Sequence, residues 1–190
     1  IKLIDHINNK LEFIYGKTDM EKINTWVKNC DKDLICFYIS FYYINNKGKS
    51  AGHANSIVVN KKLKTIEHFE PNGFNPESST YSIKEEFGKK MKSLFIDCCF
   101  KDYKFVHMKD ICPRGTRIGI QTLQSGNTKY PKMFGLCTWW SLWFMNVRMA
   151  HPNLTASESY EKALNTIGTV NVEKFILKYI KGLLNNMNLK

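Results

Sequence analysis

The run Leu34–Ile44, LICFYISFYYI, constrains the fold more than any other stretch, because its eleven residues carry no charge and Ser40 is the one small polar residue among aliphatic, aromatic and cysteine side chains. A continuous apolar run of strand length, rich in β-branched and aromatic residues, predicts a strand buried on both faces. Asn45-Asn46-Lys47-Gly48 predicts a turn, and two further strands are expected near His53–Val59 and Thr65–Glu70. The connection through Asn60-Lys61-Lys62-Leu63-Lys64 is short, so an antiparallel meander is the economical topology.

Helical periodicity brackets these strands. Thr18-Asp19-Met20-Glu21 is a capping box followed by Ile23, Trp26 and Val27 at helical spacing, which predicts a helix from about Asp19 to Asn29. Ser82-Ile83-Lys84-Glu85 opens a second, with Phe87, Met91, Leu94 and Phe95 recurring every three or four residues. Tyr103–Met108 and Arg117–Gln121 read as strands, and a loop rich in Ser, Gly, Asn and Pro leads from Gln121 to Cys137. A long apolar helix follows from Leu136 to about Met149, then a capping box at Thr155-Ala156-Ser157-Glu158. Asn171 is expected to cap the last helix, whose stripe is Val172, Phe175, Ile176, Tyr179, Ile180 and Leu183. The expected class is α+β: a central, mostly antiparallel sheet flanked by helices, without repeats. With 190 residues, 43% of them hydrophobic, residues 1–190 are read as one domain around one sizeable core.

No stretch approaches the roughly 18 to 20 consecutive apolar residues of a membrane span, and no signal-peptide pattern is seen. The six cysteines include Cys36 inside an apolar strand, the adjacent pair Cys98-Cys99 and Cys137 in an aromatic helix, which fits reduced thiols in a reducing compartment better than three disulfides. No Cys-x-x-Cys or His-x-x-x-His spacing offers a zinc site, so neither metal nor other cofactor is expected. The formal charge of +11 comes from scattered lysines and is read first as a solvated surface, with nucleic-acid contact a secondary expectation.

Cys137 sits where a helix begins, in Gly135-Leu136-Cys137. A free cysteine is often just a buried residue, and Leu136, Trp140, Trp143, Phe144 and Val147 form an apolar stripe with no need of chemistry. The helix end favours thiolate, by up to about 2 kcal/mol, or about 1.5 pKa units. That brings an ordinary thiol near 8.5 down only to about 7, so an imidazolium partner is needed for the rest.

Five histidines compete for that role. His151 lies at the far end of the same helix, about 20 Å away at 1.5 Å per residue. His6 and His107 are read as packing or surface residues. His53 opens a strand after Ala51-Gly52, and Glu70 lies 70 − 53 = 17 residues on, a separation that lets neighbouring antiparallel strands set carboxylate beside imidazole. His68 is the rival base, and Asn72 the rival orienting group.

Gly52-His53, the strand after it, His68-Phe69-Glu70-Pro71-Asn72-Gly73-Phe74, a downstream Gln and Gly135-Leu136-Cys137 together resemble the adenovirus protease and SUMO-protease superfamily of cysteine peptidases. The Phe-Glu-Pro-x-Gly-Phe string is similar to the adenovirus type, and the Trp-Trp-Ser-Leu-Trp helix and Lys and Asn bias are similar to relatives encoded by large DNA viruses. The resemblance covers about residues 52–150. It implies an adenovirus-protease-like fold, Cys137 as nucleophile, His53 as general base, Glu70 as orienter of the ring and a Gln side chain as oxyanion donor: Gln121, with Gln124 the alternative. It also implies a polypeptide substrate, either a viral polyprotein or a ubiquitin-like modifier conjugate, cut after small residues of Gly-Gly type; a monomer in the reducing setting of host cytoplasm or virion is expected. Two departures are Ala54, where Trp commonly follows the His, and the 137 − 121 = 16 residue separation of Gln and Cys. An acyltransferase of the same fold and an inactive basic binding module contacting nucleic acid or capsid protein are the alternative expectations.

Overall fold

The computed structural model describes residues 2–6, 10–14, 17–44, 50–73, 81–97, 100–112, 119–121, 136–168 and 172–186. A four-stranded sheet in the order β3-β4-β5-β6 forms its centre: β3 (Leu34–Ile44), β4 (Ser50–Asn60), β5 (Thr65–Phe69) and β6 (Lys104–Val106). β3 and β4 pair antiparallel from Leu34↔Asn60 to Ile44↔Ser50, and β4 and β5 from Asn60↔Thr65 to Ser56↔Phe69, so the expected meander is present. β6 runs parallel to β5, since the chain between them crosses through α2 (Tyr81–Lys92) and its π-helical continuation Ser93–Asp97. A separate hairpin, β1 (Lys2–His6) with β2 (Lys10–Ile14), occupies the N-terminal stretch to which the sequence reading assigned no element.

Helices cover both faces of the sheet, as strand alternation requires. Ile35, Ile39, Ile57, Val59 and Ile66 pack with Val27 of α1 (Lys17–Asn29) and with Phe87, Met91, Leu94 and Phe95 of α2 and its continuation. Val58 and Phe69, which point the other way, pack against α4 (Leu136–Ala150), α5 (Ala156–Ile167) and α6 (Val172–Asn186). The α+β class with a mostly antiparallel, helix-flanked sheet is therefore observed.

Several expectations change. β3 has the expected bounds, yet it is not buried on both faces: Tyr38 is 45% exposed, because β3 is the outermost strand and α4 lies mainly over β4. The strand expected over Tyr103–Met108 stops at Val106, and α3 (Met108–Ile111) starts directly after His107, whose N–H donates to Asp110 Oδ2 at 3.3 Å. The strand expected over Arg117–Gln121 is absent from its described part. Ile120 and Gln121 form a tight helical turn whose backbone turns aside to bond a neighbouring loop. α1 and α2 start at Lys17 and Tyr81, one residue before the Thr18 and Ser82 expected to cap them. The Thr155 capping box is formed as read, with Thr155 accepting from Glu158 N–H and Glu158 from Thr155 N–H. The 45–48 turn, Cys98, Cys99, Gln124 and Asn171 lie outside the described residues.

Candidate active site

The site is assembled where β4 outruns β5. Phe69, the last paired residue of β5, lies opposite Ser56, so residues 50–55 continue beyond the end of β5 while still paired to β3. Glu70 leaves β5 into a turn closed by Gly73, whose N–H donates to Glu70 O at 2.9 Å. Gly73 has φ 67°, a region a side-chain-bearing residue enters only with strain. Continuing the ladder puts Glu70 opposite Asn55, on the same face as His53 and two residues from it. The outcome is direct contact: His53 Nε2 donates to Glu70 Oε1 at 2.6 Å, with both side chains buried. The same oxygen accepts the Asn72 N–H at 2.9 Å, so of the two candidates Glu70 is the one that meets the His53 ring, while the Asn72 backbone holds Glu70.

Cys137 is the second residue of α4, in the turn where backbone N–H groups have no intrahelical acceptor. Its thiol hydrogen-bonds the His53 ring, and with Nε2 occupied by Glu70 the nitrogen left for it is Nδ1. Sγ also accepts the backbone N–H of Ala54. Tyr38 Oη and Thr138 Oγ1, 2.9 Å apart, tie the start of this helix to β3.

The electrostatics follow from these contacts. Burial by itself would pull the His53 pKa down, but the Glu70 charge and the hydrogen bonds to Cys137 and Glu70 outweigh it and push the imidazolium up to about 9. Burial likewise disfavours the Cys137 thiolate, yet the hydrogen bond and charge of His53 and the Ala54 N–H more than compensate, and its pKa falls below the ordinary thiol value. Cys36 and Cys112 move the other way: desolvation above all, joined at Cys36 by the Glu67 charge, pushes both thiols up to about 11. The arrangement therefore stabilises both a thiolate on Cys137 and an imidazolium on His53, beside a carboxylate.

Gln121 is brought to the same place. Its N–H donates to Pro71 O at 3.0 Å and that of Gly119 to Asn72 O at 3.3 Å, so residues 119–121 lie along the turn that carries Glu70. The side-chain oxygen of Gln121 is buried without a hydrogen-bond partner. His68 is not at the site: its Nε2 bonds Asn55 Oδ1 at 3.0 Å, its ring packs against Phe87 and Phe105, and burial above all holds its pKa down to about 4. His107 stacks edge-on with Phe105, and His151 follows the far end of α4. The Ala54 N–H, the Tyr38–Thr138 tie and the Asn55–His68 bond escaped the sequence reading. The first is a backbone group, the second joins two hydroxyls that carry no site signal, and in the third the rival base His68 takes an amide partner that nothing in the sequence marks.

No family model matches the chain. In an alignment of 132 positions that covers 62% of the chain, it is 24% identical to the protein named "Putative ankyrin repeat protein L371" of Acanthamoeba polyphaga mimivirus. The match spans 16% of that protein's length. Ankyrin repeats are helix-pair units, whereas the described residues here form a sheet-centred fold. No helix among the described residues is long and apolar enough to cross a membrane.

Proposed function

We propose that the chain is a cysteine peptidase or isopeptidase. The observation that carries this reading is the shared imidazole: one His53 ring bonds Glu70 at 2.6 Å and also the thiol of Cys137, which opens a helix. In the reaction, the Cys137 thiolate attacks the scissile carbonyl carbon, and the negative charge moves to the oxygen. The Cys137 N–H and the Gln121 side-chain amide are the donors proposed for that oxyanion. Collapse breaks the C–N bond, and the leaving nitrogen takes the proton of the His53 imidazolium. Neutral His53 then takes a proton from water as the oxygen attacks the thioester, which releases the acid and restores the ion pair. Glu70 keeps the ring in one orientation and stabilises its charged form.

The substrate part of the proposal rests on the resemblance: polypeptide ends of Gly-Gly type in a viral polyprotein or a ubiquitin-like conjugate. Similarity to a mimivirus protein supports the viral setting; host cytoplasm or virion is the location proposed with it. The test treats the chain with a ubiquitin or SUMO C-terminal electrophile and, separately, with an electrophile built on a Gly-Gly peptide. An adduct mapped to Cys137 and lost in Cys137→Ala is expected, and the reactive probe names the substrate class. Peptide cleavage retained by a folded Cys137→Ala would overturn the reading. Acyl transfer from a thioester donor without any peptide cleavage would redirect it to an acyltransferase.

A further inference from the structure

We propose that Asn55 and His68 are positioning residues for the His53–Glu70 pair, their side-chain hydrogen bond fixing the two strand ends on which that pair depends. The inference rests on the peptidase reading and extends it to residues that never touch substrate. Asn55 is two residues from His53 on β4, His68 two residues from Glu70 on β5, and all four lie on one face of the sheet by alternation. The last backbone pair between the strands is Ser56↔Phe69, and beyond it the strands part toward the site. The Asn55 Oδ1 to His68 Nε2 contact, 3.0 Å, is thus a directional side-chain tie at the point of divergence.

Both side chains are fully enclosed, and Phe87 and Phe105 hold the His68 ring from the far side. Asn55 Nδ2 is buried with no hydrogen-bond partner, an arrangement that an apolar pair of similar volume would avoid. A polar pair at such a place contributes direction rather than stability. Direction matters here because the His53–Glu70 contact is short, and a displacement of about 1 Å can cost about 100-fold in rate. The neutral ring of His68 donates from Nε2, the tautomer that the Asn55 Oδ1 acceptor selects.

The test uses the full chain and reads alkylation of Cys137 by iodoacetamide across pH 5–9, followed by mass spectrometry of the Cys137 peptide, with circular dichroism to verify folding. Asn55→Leu and His68→Leu are expected to remain folded while Cys137 alkylation at pH 6.5 slows about tenfold, a one-unit rise in thiol pKa. His68→Gln, which can donate a similarly placed N–H, is expected to follow the wild-type profile. Asn55→Ala removes the acceptor without adding bulk and carries the same expectation should a leucine disturb the core. Folded variants that lower Tm yet alkylate along the wild-type profile would overturn the positioning role and leave the peptidase reading intact. A wild-type Cys137 that alkylates no faster than an unperturbed thiol overturns both.

Discussion

Cys137 and His53 titrate as a pair, and the pair defines a pH window. The thiolate forms below the ordinary thiol range because His53 and the Ala54 N–H support it, while the imidazolium survives to about 9 because Glu70 and Cys137 hold its proton. The proposed peptidase activity should rise as Cys137 ionises and fall near pH 9 as His53 loses the proton that the proposal gives to the leaving amine. Glu70→Gln retains the shape and removes the charge that raises His53, so its alkaline limb should move to lower pH, with a large fall in kcat and little change in KM. A pH profile of kcat/KM checks this, and an unmoved alkaline limb would exclude Glu70 from the role. Gly119 offers a second test at the same scale. A Cβ there would meet Pro71 O at 2.1 Å and Gly73 N at 2.2 Å, both backbone atoms, so Gly119→Ala must push residues 119–121 off the Glu70 turn. Turnover should fall about 100-fold from the displaced Gln121 and turn, measured on the same peptide substrate as wild type.

Among the elements, α4 carries Cys137, and it is fastened along its length. Its start is tied by Thr138 to Tyr38, and the loop after its end by Asn60 Nδ2 donating to Pro152 O at 3.0 Å. Between them, Arg148 is fully buried, with Nε donating to Glu67 Oε2 at 2.7 Å and Nη2 to Oε1 at 3.0 Å. Its Nη1 bonds Ser159 and the His151 carbonyl, which joins α4, β5 and α5 in one network. A buried pair is weak evidence of stability, but removing one partner strands the other. Arg148→Met should therefore destabilise the fold by about 3–5 kcal/mol in urea unfolding, and Arg148→Met with Glu67→Leu should recover most of that loss. A double variant as unstable as the single one would show that the network serves more than charge balance.

For the whole molecule, the two-faced core sets the response to acid. His68 lies neutral in the layer between the sheet and α2, with a folded pKa of about 4 against an ordinary 6.5. Between those limits the unfolded chain binds the extra proton, so the stability His68 allows is fully present above pH 6.5 and is lost as pH falls through 4. At about 1.36 kcal/mol per pKa unit, the fall from 6.5 to about 4 corresponds to a loss of up to about 3 kcal/mol. His53 acts in the opposite sense: its pKa is raised to about 9, so its contribution is fully present below 6.5 and is lost as pH rises through 9. His68→Gln should flatten the decline in urea stability between pH 6.5 and 4. An unchanged slope would assign the acid sensitivity to other groups.

The sequence by itself determined the parts that depend on local order. Apolar runs and short turns gave β3, β4 and β5 in the right succession, since alternation and turn chemistry act over a few residues. The 3.6-residue stripe and the Thr155 box gave α4 and α5, and the separation of His53 from Glu70 was legible because a hairpin with a short turn fixes which residues face each other. Tertiary structure decided everything that required distant segments to meet. Of two buried histidines in neighbouring strands, only the register and the reach of β5 determined that His53 meets Glu70 while His68 turns to Asn55. The residues expected as a strand around Gln121 became a turn against Pro71 because carbonyls some 50 positions earlier offered their N–H groups acceptors, and no local propensity encodes that. Arg148 and Glu67, 81 residues apart, carry no local sign of their pairing, which exists only once α4 packs over the sheet and removes both from water. Local preferences specify elements, whereas the pairing of polar groups depends on which of them the packed core excludes from solvent.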